Sequence, residues 1–169
     1  MSEVTHPYWN LPLKQGRLTL TPCPGTQEAS LEMSLTQLKD AGVTALITLL
    51  SDQEIESAGL EHFFEAIEEV GLDSFHLPVP DDDLPGETFE NQWQVLLPEI
   101  EQHLNTNHSV AIHCMGGSGR TGLIAGRLML NQGFSSEEIF SQIRALRPKA
   151  FSMDVQKHYI NRFVIDTSS

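Results

Sequence analysis

The sequence predicts an α/β fold: a mostly parallel central sheet flanked by helices on both faces. Two observations carry this expectation. Short apolar runs rich in β-branched residues alternate along the chain with capped, amphipathic stretches, which is the order a parallel sheet requires. The run Val43–Leu50, VTALITLL, has almost no polar interruption, as expected of a strand covered on both sides. At 169 residues the chain has the length of one domain, 1–169, with a sizeable core.

The elements follow in order. Gly16–Pro22, GRLTLTP, alternates apolar and polar residues and is expected to be a strand. Ser34–Gly42 carries helix signals: Ser34 as N-cap, Gln37 three residues on, and Gly42 as the stop. The strand Val43–Leu50 comes next. Ser51–Gly59 opens on a capping pair, Ser51 and Glu54, and Glu61–Gly71 is an amphipathic helix closed by Gly71. Asp73–Val79 is a further short strand, and Pro80–Glu87, PDDDLPGE, is an acidic loop rich in turn residues. From Phe89 to about Asn105 the pattern is a long helix, which Pro98 should kink or split. Ser109–Cys114 is a strand, and Gly119–Gly133 is a mostly apolar, largely buried helix. Two more helices are expected, Ser135–Leu146 with Ser135 and Glu138 as a capping box, and Ser152–Ile165.

Bulk composition narrows the function classes. Apolar residues make up 40% and charged residues 20% of the chain, which is a folding composition. The net charge of −13 opposes both nucleic acid and anionic lipid, so any phosphate site must be a local positive feature. No apolar run is long enough to span a membrane, and the first residues, MSEVTHPYWN, lack the pattern of a signal peptide. The two cysteines, Cys23 and Cys114, are too few for a disulfide framework. These features fit a cytoplasmic protein, expected to be monomeric, in which a free thiol can remain a working group.

The stretch His113–Gly122, HCMGGSGRTG, lies between a strand and a helix. In such sheets ligands sit beyond the carboxyl ends of the strands. Glycine at 116, 117 and 119 lets successive N–H groups turn inward, and inward amides at a helix N-terminus form an anion nest. Met115, Gly116, Gly117, Ser118, Gly119 and Arg120 are therefore the candidate phosphate-binding residues. Arg120 adds a planar fork that matches two phosphate oxygens. Cys114 at the base of the nest is expected to have its thiol pKa lowered from roughly 8.5 toward the range of about 3.5–7.5 found near cations and helix N-termini. A thiolate beneath a bound phosphoryl group implies in-line transfer to sulfur. A nucleotide-binding P-loop is excluded because the lysine of Gly-Lys-Ser/Thr is missing.

Cysteine, five intervening residues, arginine and a hydroxyl residue in that order resemble the signature of the cysteine-dependent protein phosphatases of dual-specificity type. The stretches AGLEHFFEAIEEVGLDSFHLPVPDDDLP, AIHCMGGSGRTG and IRALRPKAFSMDVQKHYINRF are similar, in order and spacing, to the cyclin-dependent kinase-associated phosphatases. The resemblance implies a protein tyrosine phosphatase-like fold, a phosphocysteine intermediate, no cofactor and no metal. It also implies an aspartate acid on a loop before the cysteine. Asp81, Asp82 and Asp83 are all candidates, and Asp81 matches the family position best. Thr121 is a candidate to hydrogen-bond the sulfur as it departs. His113 is expected to hold the shape of the loop. Gln156 is expected to support the site or simply to belong to an amphipathic helix. Arg144 and Arg147 are expected to tie the last helices together, and Cys23 to be a buried structural cysteine.

Met115 and Ser118 are uncharged and the surface is acidic, which disfavours a polyphosphorylated substrate. The expected partner is a phosphorylated protein, and the resemblance implies that phosphotyrosine and phosphoserine or phosphothreonine are all admissible. The alternatives are a catalytically silent phosphoprotein-binding module, a phosphatase of a non-protein ester, and a sulfur- or arsenate-transfer enzyme.

Overall fold

The computed structural model describes residues 5–81 and 83–164. The elements are β1 (Trp9–Pro12), β2 (Arg17–Thr21), α1 (Leu31–Asp40), β3 (Val43–Thr48), α2 (Asp52–Ser57), α3 (Phe63–Val70), β4 (Asp73–His76), α4 (Glu87–Asn105), β5 (Ser109–His113), α5 (Gly119–Asn131), α6 (Ser136–Leu146) and α7 (Asp154–Asn161). The five strands form one sheet in the order β1-β2-β5-β3-β4. β1 pairs antiparallel with β2, and every other pairing is parallel. α1 and α3 pack together over β3 and β4, while α4, α5 and α6 cover the sheet on its other face and α7 lies against α5. The predicted fold class is the one observed. Among the described residues no helix is long and apolar enough to cross a membrane.

β5 is the central strand. Its residues Val110, Ala111, Ile112 and His113 are fully buried, because β2 and β3 flank it on either side and helices cover both faces. The shared register ends with His113 beside Thr21 of β2 and Thr48 of β3. The chain therefore leaves the sheet at a fixed point, with threonine hydroxyls on both sides.

Some local expectations are corrected. α1 begins earlier than predicted, and its cap is Ser30, whose Oγ accepts from the Met33 amide at 3.1 Å. Ser34 lies inside the helix and donates to the Ser30 carbonyl at 2.7 Å. Both serines sit at helix-competent spacings, and the apolar face decides: Leu31 is buried with Leu35 and Leu38. Pro98 does not split α4, which runs unbroken through it. Pro98 and Gln94, whose carbonyl loses its partner, both face solvent, where water can satisfy the orphan group. Phe89, Trp93, Ile100 and Leu104 hold the helix down on both sides of the proline. β1 is an unpredicted edge strand, and the final helix is shorter than expected, α7 ending at Asn161; Ile165 lies outside the described residues.

Candidate active site

The stretch from His113 to Gly122 connects the end of β5 to the start of α5, as the sequence implied. Cys114 is 4% exposed. Its Sγ accepts from the Gly117 amide at 3.3 Å and from the Thr121 hydroxyl at 3.1 Å. No side chain caps α5, so the amides of its first turn are left for a ligand. Gly117 has φ +79°, and a Cβ there would lie 2.7 Å from the Pro22 nitrogen and the Thr21 carbonyl carbon. Only glycine allows both this backbone and this contact. The Cys23 amide also donates to the Met115 carbonyl at 3.0 Å, so the segment after β2 braces the loop.

Arg120 is buried beside the sulfur, at 6% exposure. Its Nη1 donates to Glu54 Oε1 at 3.0 Å and to the Val79 carbonyl at 3.1 Å. Its Nη2 stands 3.6 Å from Asp81 Oδ1. Burial opposes the guanidinium's charge, but the Glu54 hydrogen bond and the charges of Cys114, Glu54 and Asp81 prevail and raise its pKa. For Glu54, burial favours the neutral acid; the bonds from Arg120 and from the Ser51 amide and hydroxyl outweigh it and hold the carboxyl below its usual range.

His113 is fully buried. Its Nδ1 lies 3.1 Å from the Cys114 carbonyl and its Nε2 2.9 Å from the Thr48 hydroxyl. A carbonyl can only accept, so Nδ1 carries the proton and Nε2 accepts from Thr48. Burial, the dominant influence, lowers the pKa of His113 to about 4. The ring is thus a neutral brace that fixes the direction of the Cys114 carbonyl. Cys23 is likewise buried and free. Burial first, then the neighbouring charges of Cys114 and Glu54, push its thiol up to about 12.

A cleft of about 210 Å³ opens beside the loop, lined by Asp81, Asp83, Gly119, Arg120 and Gln156. Leu84, Leu123, Met153 and Val155 form its apolar wall. Of the acid candidates, Asp81 lies at the guanidinium. Asp83 also lines the cleft, but its Oδ1 accepts the Leu84 amide at 2.7 Å. Asp82 lies outside the described residues. Gln156 does two things: its Oε1 accepts from the Met153 amide at 3.2 Å at the start of α7, and its Nε2 faces Gly119. Among the described residues no cluster of three or more His, Cys, Asp or Glu side chains could hold a metal ion.

Two participants were missed or misread in the sequence. Glu54 was legible only as half of a capping box; its second role, anchoring Arg120, spans 66 residues. Arg147, expected to tie helices together, instead reaches the loop. Its Nη2 donates to the Gly116 carbonyl at 2.8 Å and its Nε to the Gly117 carbonyl at 3.1 Å.

Among solved structures this fold is that of the tyrosine and dual-specificity phosphatases. A kinase-associated phosphatase whose catalytic-site cysteine is substituted by serine superposes with a TM-score of 0.83 at 21% identity, over 96% of each chain. Tk-PTP in its active form superposes with a TM-score of 0.66 at 26% identity, over 89% of this chain and 91% of that one. In sequence, cyclin-dependent kinase inhibitor 3 of Rattus norvegicus is 23% identical over 130 residues, 75% of this chain and 60% of the relative's length. Tyrosine-protein phosphatase CDC14 of Candida albicans is 30% identical over 100 residues, 59% of this chain and 18% of that protein. The family described as the DSP-PTPase phosphatase of polymorphic toxin systems (Tc-R-P) matches residues 23–133, and the chain belongs to it.

Proposed function

We propose that the protein hydrolyses phosphate monoesters on protein side chains through a phosphocysteine intermediate. The observation that carries this reading is the convergence on Cys114 Sγ of the Gly117 amide and the Thr121 hydroxyl, with the Arg120 guanidinium fixed beside them. Each group favours negative charge at the sulfur or at an anion above it.

In the first step the Cys114 thiolate attacks phosphorus and the ester P–O bond breaks in line. Asp81 gives its proton to the departing alkoxide or phenoxide. Arg120 and the loop amides, from Met115 to Gly119, hold the three non-bridging oxygens as charge redistributes. In the second step water attacks the phosphocysteine, Asp81 takes the proton of that water, and the P–S bond breaks. The leaving thiolate accepts the Thr121 hydroxyl, and Gln156, facing Gly119, orients the water. The sum is ester plus water to alcohol plus phosphate, with both Cys114 and Asp81 restored and no cofactor consumed.

A phosphoprotein is the partner this chemistry favours. Met115 and Ser118 bring no cation to the loop, which disfavours a substrate carrying several phosphates. Two free, buried cysteines suit a reducing, cytoplasmic setting. Rapid acid quench during turnover of an aryl phosphate tests the proposal. The expected result is phosphate trapped on Cys114 and no turnover by Cys114→Ser. Turnover by Cys114→Ser refutes the mechanism, and phosphate binding without turnover by the wild type makes the protein a recognition module instead.

A further inference from the structure

We propose that Arg147, seated on Trp9, is a positioning residue that sets the direction of the loop amides. Resting on the function proposed above, it adds to the site a device built from two segments outside the family match at 23–133.

Trans peptide groups carry their C=O and N–H in opposite directions. The carbonyl of Gly116 and the amide of Gly117 share one peptide plane, and the carbonyl of Gly117 and the amide of Ser118 share the next. Arg147 holds both carbonyls, at 2.8 and 3.1 Å. The two amides must therefore point away from Arg147. For the first plane the destination is observed, since the Gly117 amide donates to Cys114 Sγ at 3.3 Å. A glycine-rich loop needs such a restraint, because residues without Cβ resist peptide rotation least. A rotated plane would aim a carbonyl oxygen at the anion.

The clamp has its own support. The Arg147 guanidinium lies over the Trp9 ring, 3.9 Å from its centroid. Trp9 is in β1, fixed opposite Leu20 of β2. The edge strand thus supplies an aromatic platform, the platform orients the fork, and the fork orients the loop. A lysine cannot replace the arginine, because a single ammonium does not present two fixed parallel donors. The guanidinium is also close enough to Cys114 for their charges to interact.

The test is phosphate affinity. Inorganic phosphate is titrated calorimetrically into wild type, Arg147→Lys, Arg147→Met, Trp9→Ala and Trp9→Phe, at a temperature where circular dichroism shows each protein folded. Arg144→Ala, which removes an exposed cation from α6, is the control. Both Arg147 variants should lose about tenfold or more in affinity, the equivalent of one charge-assisted hydrogen bond. Trp9→Ala should fall between these and the wild type, Trp9→Phe should recover most of the affinity, and Arg144→Ala should match the wild type. Wild-type affinity in Arg147→Lys and Arg147→Met, both folded, overturns the proposal. A wild type that binds phosphate but hydrolyses no ester overturns the catalytic reading alone, and one that binds no phosphate overturns both.

Discussion

Gly117→Ala isolates the physical demand at the centre of the loop. At φ +79° the left-handed backbone costs a non-glycine residue about 1–2 kcal/mol. The new methyl would lie 2.7 Å from backbone atoms of Thr21 and Pro22, where ordinary contact begins at 3.4 Å, so something must move by the difference of 0.7 Å. Those atoms follow β2, hydrogen-bonded on both sides, and cannot give way as a flexible side chain would. Overpacking of this kind adds about 1–3 kcal/mol. The sum is about 2–5 kcal/mol, or a fall in melting temperature of about 4–20 °C at 2–4 °C per kcal/mol for a chain of this size. If the loop yields instead, the Gly117 amide moves away from Cys114 Sγ and aryl phosphatase activity falls. Gly116→Ala is the comparison, since a Cβ there meets nothing within 4 Å. Calorimetric melting and an aryl phosphate assay on both variants decide the matter. A Gly117→Ala protein with wild-type melting and wild-type activity would show that the steric reasoning is wrong.

Asp81→Asn should slow hydrolysis by about 100- to 10,000-fold for alkyl phosphates, which need a protonated leaving group, and much less for nitrophenyl phosphate; equal losses on the two substrates would remove Asp81 from the acid role. His113 should make stability depend on pH. Its folded pKa of about 4 lies below the ordinary 6.5, so the unfolded chain takes up the proton first. The stability from keeping the ring neutral is fully present above pH 6.5 and is lost as pH falls through about 4, by about 3 kcal/mol in all. His6, also lowered by burial, acts in the same direction. Denaturation of wild type and His113→Asn across this window should show a shallower slope in the variant, and parallel slopes would refute the assignment.

What was legible in the sequence was local. Ser51 with Glu54 and Ser135 with Glu138 form the two capping boxes expected of them. The apolar run from Val43 and the strand entering HCMGGSGRTG lie in the parallel sheet as read. What was not legible depends on distance along the chain. β1 is four residues ending in Pro12, too short to show a period, and it exists because β2 offers it a partner. Ser34, with Gln37 three residues on, fits the capping pattern better than Ser30, which has Met33 there, and burial of Leu31 decides for Ser30. The site was read through Cys114, Arg120 and Thr121 because one turn of chain holds all three. Glu54 and Arg147 join it across 66 and 30 residues, and neither carries a local mark of doing so.

One oxygen of Glu54 does two jobs. Oε1 accepts the Ser51 amide at 3.1 Å, which caps α2, and accepts Arg120 at 3.0 Å. α2 has only six residues, so it has little cooperative strength of its own. Fraying at its first turn would take one anchor from the guanidinium, leaving the Val79 carbonyl and Asp81, and an anion drawing the guanidinium from Glu54 would loosen that turn. Occupancy of the pocket and winding of a surface helix are therefore coupled, and amide-exchange rates around Glu54 should report the state of the pocket from outside it.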